Sequence, residues 1–246
     1  MRVIGVIGYK DSGKTTLIEE ILKHSDKKIA VIKHTIEDVE VDREGSDTYR
    51  FSNAGAKITV LATDNKTVFF TDRMDLENIL SILSDYDIDF VIIEGFKEAL
   101  KRLNIPKIVM LKDKDGSDLI DEHTAMIIED YNYNIDDVLK VIYEKAIIPT
   151  MNLNCKHCGY NCKTFVKAVV EGEAKWDDCV LAKGIKIIVD GKIIPAVPFV
   201  SQIVGNTIKA MIETLKGVDN PKIIKVEIDT SKLNRTFTGK KFSEKN

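Results

Sequence analysis

From Val3 to Tyr143, short apolar runs alternate with stretches whose apolar residues recur every three or four positions. Val3-Ile4-Gly5-Val6-Ile7 reads as a strand running into a glycine-bearing turn. Residues 16–23 follow at helical spacing, with Leu17, Ile18, Ile21 and Leu22 expected in the core. Lys28 to Lys33 predicts a second buried strand, and Ile58 to Ala62 and Thr67 to Phe70 predict two more, separated by a turn at Asp64-Asn65. Leu76 to Leu83 has helical periodicity, and Phe90-Val91-Ile92-Ile93 is a buried strand ending in Glu94-Gly95. Ile108 to Met110 and Met126 to Ile128 are further strands, and Ile135 to Tyr143 is a closing helix. Strands and helices alternating in this way predict an α/β fold, with a mostly parallel sheet and helices on both faces.

Pro149 and the polar residues 151–154 interrupt the pattern. Beyond them Ile185 to Val189 and Lys192 to Ile194 flank Asp190-Gly191, the signal of a type I′ hairpin. Phe199, Val200, Ile203, Val204, Ile208, Met211, Ile212 and Leu215 recur at helical spacing, with Gly217 as a stop. Ile223 to Ile228 alternates like a strand, and the polar, basic tail from Ser231 is expected to be disordered.

Composition narrows the class. A chain of 246 residues suits one large or two modest domains, and 30% charged beside 44% hydrophobic residues is the balance of a soluble globular protein. The net charge of −3 gives no global attraction to nucleic acid or to an anionic membrane. No apolar run approaches the roughly 18 residues needed to span a bilayer. The first strand begins almost at Met1, leaving no room for a signal peptide, so a cytoplasmic location is expected.

Gly8-Tyr9-Lys10-Asp11-Ser12-Gly13-Lys14-Thr15 has the spacing G-x4-G-K-[ST] of a phosphate-binding loop, and it sits between a strand and a helix. Successive backbone N–H groups of this loop, among them those of Asp11, Ser12 and Gly13, can wrap a phosphate, and the following helix adds its N-terminal dipole. In such a loop Lys14 reaches the β- and γ-phosphates and Thr15 ligates Mg²⁺. Glu94, at the end of a buried strand, stands where P-loop enzymes place an acid near the metal or the attacking water. Asp42 and Asp47 lie in the polar loop 41–47; taken alone, each serves equally well as a turn former.

The wider pattern is specific. Ala30-Val31-Ile32-Lys33-His34, Asp42-Arg43-Glu44-Gly45-Ser46-Asp47-Thr48-Tyr49-Arg50 and Asn53-Ala54-Gly55-Ala56 resemble successive motifs of the molybdopterin-guanine dinucleotide biosynthesis protein B (MobB) family. Val91-Ile92-Ile93-Glu94-Gly95-Phe96-Lys97, followed by Pro106-Lys107-Ile108, resembles that family's third block. The matches run in order from about Val3 to Met110. Thr48 stands where serine is usual, and the histidine-rich turn that begins at His34 lacks its later histidine.

The resemblance implies a dimeric accessory protein that binds GTP and hydrolyses it slowly. It would assist the guanylyltransferase that joins GMP to the molybdenum or tungsten pterin. It also implies phosphate contacts from Gly8 to Thr16, and roles at Mg²⁺ or water for Asp42, Asp47 and Glu94. Related dimeric ATPases carry a second lysine five positions before the loop lysine. Here that position is Tyr9, beside Lys10, so no charged finger is evident and slow hydrolysis is expected.

All four cysteines, Cys155, Cys158, Cys162 and Cys179, fall in one short stretch spaced C-x2-C-x3-C-x16-C. In a reducing compartment clustered cysteines serve as metal ligands more often than as disulfides. Three close ligands and a distant fourth are a common arrangement for iron–sulfur sites. Cys158-Gly159, Cys162 through Phe165, and Gly172 before Cys179 resemble the small four-cysteine [4Fe-4S] domain of corrinoid and electron-transfer proteins, although Val180 replaces the usual proline. Phe165 would shield one side of the cluster or simply pack in the core. Zinc is the alternative occupant, because four thiolates also close a tetrahedral Zn²⁺ site.

The expected organisation is a P-loop GTP-binding domain over residues 1–148 and a four-cysteine domain over 149–183. A hairpin–helix–strand extension over 184–230 and a tail over 231–246 complete it. A P-loop kinase, a nucleotide-gated electron carrier and a GTPase adaptor with a structural zinc remain competing functions.

Overall fold

The computed structural model describes residues 1–230 apart from 38, 114–115, 183–184, 186, 191 and 195. The chain divides into two compact units, Met1–Pro198 and the part beginning at Phe199. In chain order the elements are β1 (Arg2–Gly8), α1 (Lys14–His24), β2 (Ile29–Lys33), α2 (Asp47–Asn53), β3 (Ile58–Ala62), β4 (Thr67–Thr71), α3 (Leu76–Leu83) and β5 (Phe90–Glu94). They continue with α4 (Lys97–Arg102), β6 (Lys107–Leu111), β7 (Thr124–Glu129), α5 (Ile135–Lys145), α6 (Cys162–Glu171), β8 (Ile187–Val189), β9 (Lys192–Ile194) and α7 (Pro198–Glu213).

Five strands form a parallel sheet in the order β2-β5-β1-β6-β7. Its three central strands read as continuous apolar runs because both of their faces are covered. On one face Ile4, Val6 and Ile92 meet Leu17, Ile18 and Ile21 of α1 and Val138, Leu139 and Ile142 of α5. On the other, Val3, Ile7 and Ile93 meet Leu76 and Leu80 of α3 and Leu100 of α4. The expected α/β class, with helices on both faces, is the fold observed.

Several local expectations differ. The strand at 29–33 is an edge strand, so Val31 is 40% exposed rather than buried. Leu22 lies at the margin of the inward stripe of α1 and is 45% exposed. β3 and β4 leave the main sheet and pair antiparallel as a separate ribbon. β8 and β9 form the expected hairpin, while Gly191 of its turn lies outside the described residues. Residues 223–228 form no strand: Ile223, Val226 and Ile228 remain exposed, and alternation alone does not supply a pairing edge. The tail from Ser231 lies outside the described residues. In the second unit, α7 realises the expected helix.

The cysteine stretch packs at the starting end of β1. Val3 and Ile147 exchange backbone hydrogen bonds of 2.7 and 3.2 Å as an antiparallel bridge. Ile147 then joins Phe165, Val166, Val169 and Cys179 in a small core of their own. The Arg2 guanidinium lies 4.4 Å from the Phe90 ring and 4.4 Å from the Trp176 ring, and donates to the Tyr143 carbonyl at 2.6 Å. A stacked cation of this kind joins the sheet to the turn that precedes Cys179.

Candidate nucleotide site and cysteine cluster

β1 delivers the phosphate loop to the carboxyl edge of the sheet, and α1 begins at Lys14, so the loop's amides and the helix N-terminus address one point. The turn requires left-handed backbone: Asp11 has φ 60° and Gly13 φ 83°. At Gly13 a side chain is also excluded sterically, since a Cβ there would lie 2.3 Å from the Tyr131 ring. Gly13→Ala is therefore expected to destabilise the protein by about 2 kcal/mol or more, from backbone strain plus overpacking. Urea unfolding of the nucleotide-free protein measures this, and combining the change with Tyr131→Ala should restore the steric part.

Lys14 folds back onto its own loop, donating to the Tyr9 carbonyl at 2.6 Å and lying 3.3 Å from Ser12 Oγ. Burial lowers its pKa, and Glu94 opposes that shift. Ser12 is itself buried. Thr15 and Glu94, 79 positions apart in sequence, meet because β5 lies beside β1. Thr15 Oγ1 donates to Glu94 Oε1 at 3.4 Å. Lys33 Nζ, from β2, lies 3.7 Å from the same oxygen. Sequence reading did not single out Lys33 for this contact, although β2 and β5 place it directly opposite Glu94.

The ladder continues past both strand ends, where the His34 amide donates to the Glu94 carbonyl at 2.9 Å. Gly95 permits this approach: its φ is 88°, and a Cβ would lie 2.8 Å from the His34 carbonyl oxygen. The His34 ring rests 4.1 Å from that of Phe96.

Asp42 and Asp47 are held locally. Asp42 Oδ1 accepts from Ser46 Oγ and Thr48 Oγ1 at 3.0 Å each and from the Arg43 amide at 2.8 Å. Its Oδ2 is buried without a hydrogen-bond partner. Asp47, in the first turn of α2, is exposed and lies 3.5 Å from Arg50. Among the described residues their bonds stay within this segment. The structure thus brings Gly8, Asp11, Ser12, Gly13, Lys14, Thr15 and Glu94 into one site, with the exposed Thr16 on the next position of α1.

The cysteines are gathered by an irregular loop, a helix start and a 3-10 turn. Asn154, Lys156 and Gly159 all have positive φ, which curls the loop bearing Cys155 and Cys158. Cys162 is the first residue of α6, whose N-cap Asn161 accepts from the Thr164 amide at 2.9 Å. The Asn154 amide lies 3.3 Å from Cys162 Sγ, a hydrogen bond suited to a thiolate. Cys179 follows the 3-10 turn Trp176–Asp178 and is buried, whereas Cys155 is exposed.

Burial pushes the Cys179 thiol up, and the neighbouring Cys158, Cys162 and Cys155 act in the same direction, against a hydrogen bond from the Leu181 backbone. Among the described residues, however, no three His, Cys, Asp or Glu side chains form a ready metal shell. The thiols are assembled as neighbours but not closed into a tetrahedron. Four soft donors in one neighbourhood suit an iron–sulfur cluster or zinc.

Two family models match consecutive parts of the chain. "Molybdopterin guanine dinucleotide synthesis protein B" covers residues 3–129 and "Putative Fe-S cluster" covers residues 152–181. A Methanocaldococcus jannaschii protein named "Putative molybdopterin-guanine dinucleotide biosynthesis adapter protein" is 92% identical over 233 residues, 95% of this chain and 100% of that one. The Haemophilus influenzae molybdopterin-guanine dinucleotide biosynthesis adapter protein is 31% identical over 147 residues, 56% of this chain and 79% of its own. The crystal structure of Bacillus subtilis MobB aligns with a TM-score of 0.43 at 25% identity, over 57% of this chain and 98% of that one. On the sequence matches, which span the phosphate loop, β5 and Glu94, this chain belongs to the MobB family.

Proposed function

We propose that this protein is a GTP-binding adapter in molybdopterin-guanine dinucleotide biosynthesis, serving the guanylyltransferase that attaches GMP to the molybdenum or tungsten pterin. The name of the 92% identical relative supports the pathway. The observation that carries the nucleotide reading is the meeting of Thr15 and Glu94 beside Lys14 at the end of β1. A hydroxyl and a carboxylate there would hold Mg²⁺, whose chemistry is to neutralise the phosphate oxygens.

Gly8 through Thr16 wrap the phosphates, and Lys14 leaves the Tyr9 carbonyl to reach them. Asp42, with one oxygen free of protein partners, and the exposed Asp47 are the further acids assigned to water or metal. Turnover is expected to be slow because position 9, where related dimeric ATPases carry a second lysine, is tyrosine. Exposed Ile58, Val60 and Phe69 on one face of the β3–β4 ribbon offer an apolar surface to a second copy, in keeping with a homodimer. Residues 149–183 form the cysteine module, where Cys155, Cys158, Cys162 and Cys179 hold a [4Fe-4S] cluster, with zinc the competing occupant.

Calorimetric titration with GTP and ATP, with and without Mg²⁺, tests the nucleotide reading. GTP should bind in preference to ATP, and Mg²⁺ should tighten it. Glu94→Gln should remove most of the Mg²⁺ enhancement, about tenfold, while leaving metal-free binding in place. ATP preference, or an enhancement untouched by Glu94→Gln, would contradict the assignment.

A further inference from the structure

The site described so far accounts for the phosphates and the metal, and leaves the nucleoside without a place. Topology says where it must go. Thr15, Glu94 and Lys33 occupy the side of β1 towards β5 and β2, while β6 and β7 lie on the other side. Ligands of open α/β sheets lie across the carboxyl ends of the strands. A nucleotide whose metal-bearing end faces Glu94 therefore extends over the ends of β6 and β7.

One side chain there is already in contact with the phosphate loop. After β7 the backbone turns through Asp130 and Tyr131, with φ 47° and 61°, and the Asn132 amide closes the turn on the Glu129 carbonyl at 2.8 Å. Left-handed backbone is uncommon for a bulky residue such as tyrosine. Two bonds hold the turn to the end of β6: the Asp130 amide donates to the Leu111 carbonyl at 3.1 Å, and Asp130 Oδ1 accepts from the Asp113 amide at 2.9 Å. The product of this strained turn is a fixed ring. Tyr131 lies against Gly13 closely enough to exclude a Cβ, and its hydroxyl donates to the Asp11 carbonyl at 2.5 Å. It is nevertheless 49% exposed, so aromatic surface remains available beside the loop.

We infer that Tyr131 is the seat of the nucleoside, its ring packing against the ribose and base of the bound purine nucleotide. This rests on the nucleotide-binding reading above. Its backbone strain and its tether to Asp11 are spent on placing an aromatic face before any ligand arrives, which lowers the ordering cost of binding. Stacking of this kind is sequence-tolerant, so Tyr131 supplies nucleoside affinity and does not choose between bases.

The test separates nucleoside from phosphate by comparing GTP with inorganic tripolyphosphate, titrated into wild type, Tyr131→Ala and Tyr131→Phe. Thermal unfolding confirms that each variant is folded. Tyr131→Ala should weaken GTP about tenfold and leave tripolyphosphate unchanged, while Tyr131→Phe, which keeps the ring, should stay within about threefold of wild type. Unchanged GTP affinity in Tyr131→Ala would overturn the inference. So would an equal loss of both ligands in both variants, which would make the residue a prop for Asp11. Wild-type protein that binds tripolyphosphate but gains nothing from the nucleoside would refute the seat alone. Binding of neither ligand would refute the phosphate site and the seat together.

Discussion

Lys14→Ala should lower GTP affinity about 100-fold or more, the largest single effect expected at the nucleotide site. Removing one partner of a desolvated, hydrogen-bonded charge pair typically costs about 2–5 kcal/mol, and each 1.4 kcal/mol is a factor of about ten. Among the described residues the hydrogen bonds of Lys14 go to its own loop. Burial already lowers its pKa, so an ammonium at this point gains more from a phosphate than from its present partners. Stability of the nucleotide-free protein should therefore change by less than about 1 kcal/mol, as for substitutions away from the core. Calorimetry with GTP, beside urea unfolding without it, reads both quantities. Retained binding would place the phosphates elsewhere, and a large loss of stability would make Lys14 a structural residue.

Cys158→Ala should abolish iron and acid-labile sulfide in anaerobically purified protein, remove its visible absorption, and lower its unfolding midpoint. Binding energy at a structural metal site is folding energy, on the order of 10 kcal/mol for zinc in small modules. A typical point substitution costs about 1 kcal/mol, so even partial coupling stands out. The coupling has a visible route here. Cys179 belongs to the same small core as Phe165 and Ile147, and Ile147 is bridged to Val3 of β1. About four irons and four sulfides per chain in the wild type establish the cluster. Stoichiometric zinc without sulfide would replace it with a structural metal, and the same substitution would then release zinc.

Much of this fold was legible because its central strands are buried on both faces. Phe90 to Ile93 has no polar interruption and belongs inside a parallel sheet. The phosphate loop and Glu94 were legible because strand ends and glycine spacing fix backbone chemistry locally. What escaped depended on contacts across the sheet. Lys33 falls in a family-like motif, but only the register sets it opposite Glu94. Tyr131 carries no motif, and its place beside the phosphate loop follows only once β7 is set two strands from β1. Leu22 and Val31 misled for the same reason, since periodicity identifies an apolar position without revealing that it lies on an edge or a margin. The alternation at 223–228 misled more completely, because a strand exists only with a partner. The spacing of the cysteines pointed to a metal site, whereas their packing at the start of β1 rests on Ile147 and Arg2, neither of which carries a motif.

β1 has one end at the phosphate loop and the other at the bridge to Ile147. Its seven residues span about 20 Å at roughly 3.3 Å each. Within the first compact unit the phosphate loop and the small core that holds Cys179 thus sit at opposite ends of one strand. A change at the thiols could reach the phosphate loop only along the length of that strand and the elements packed on it, so the two sites are separable by mutation.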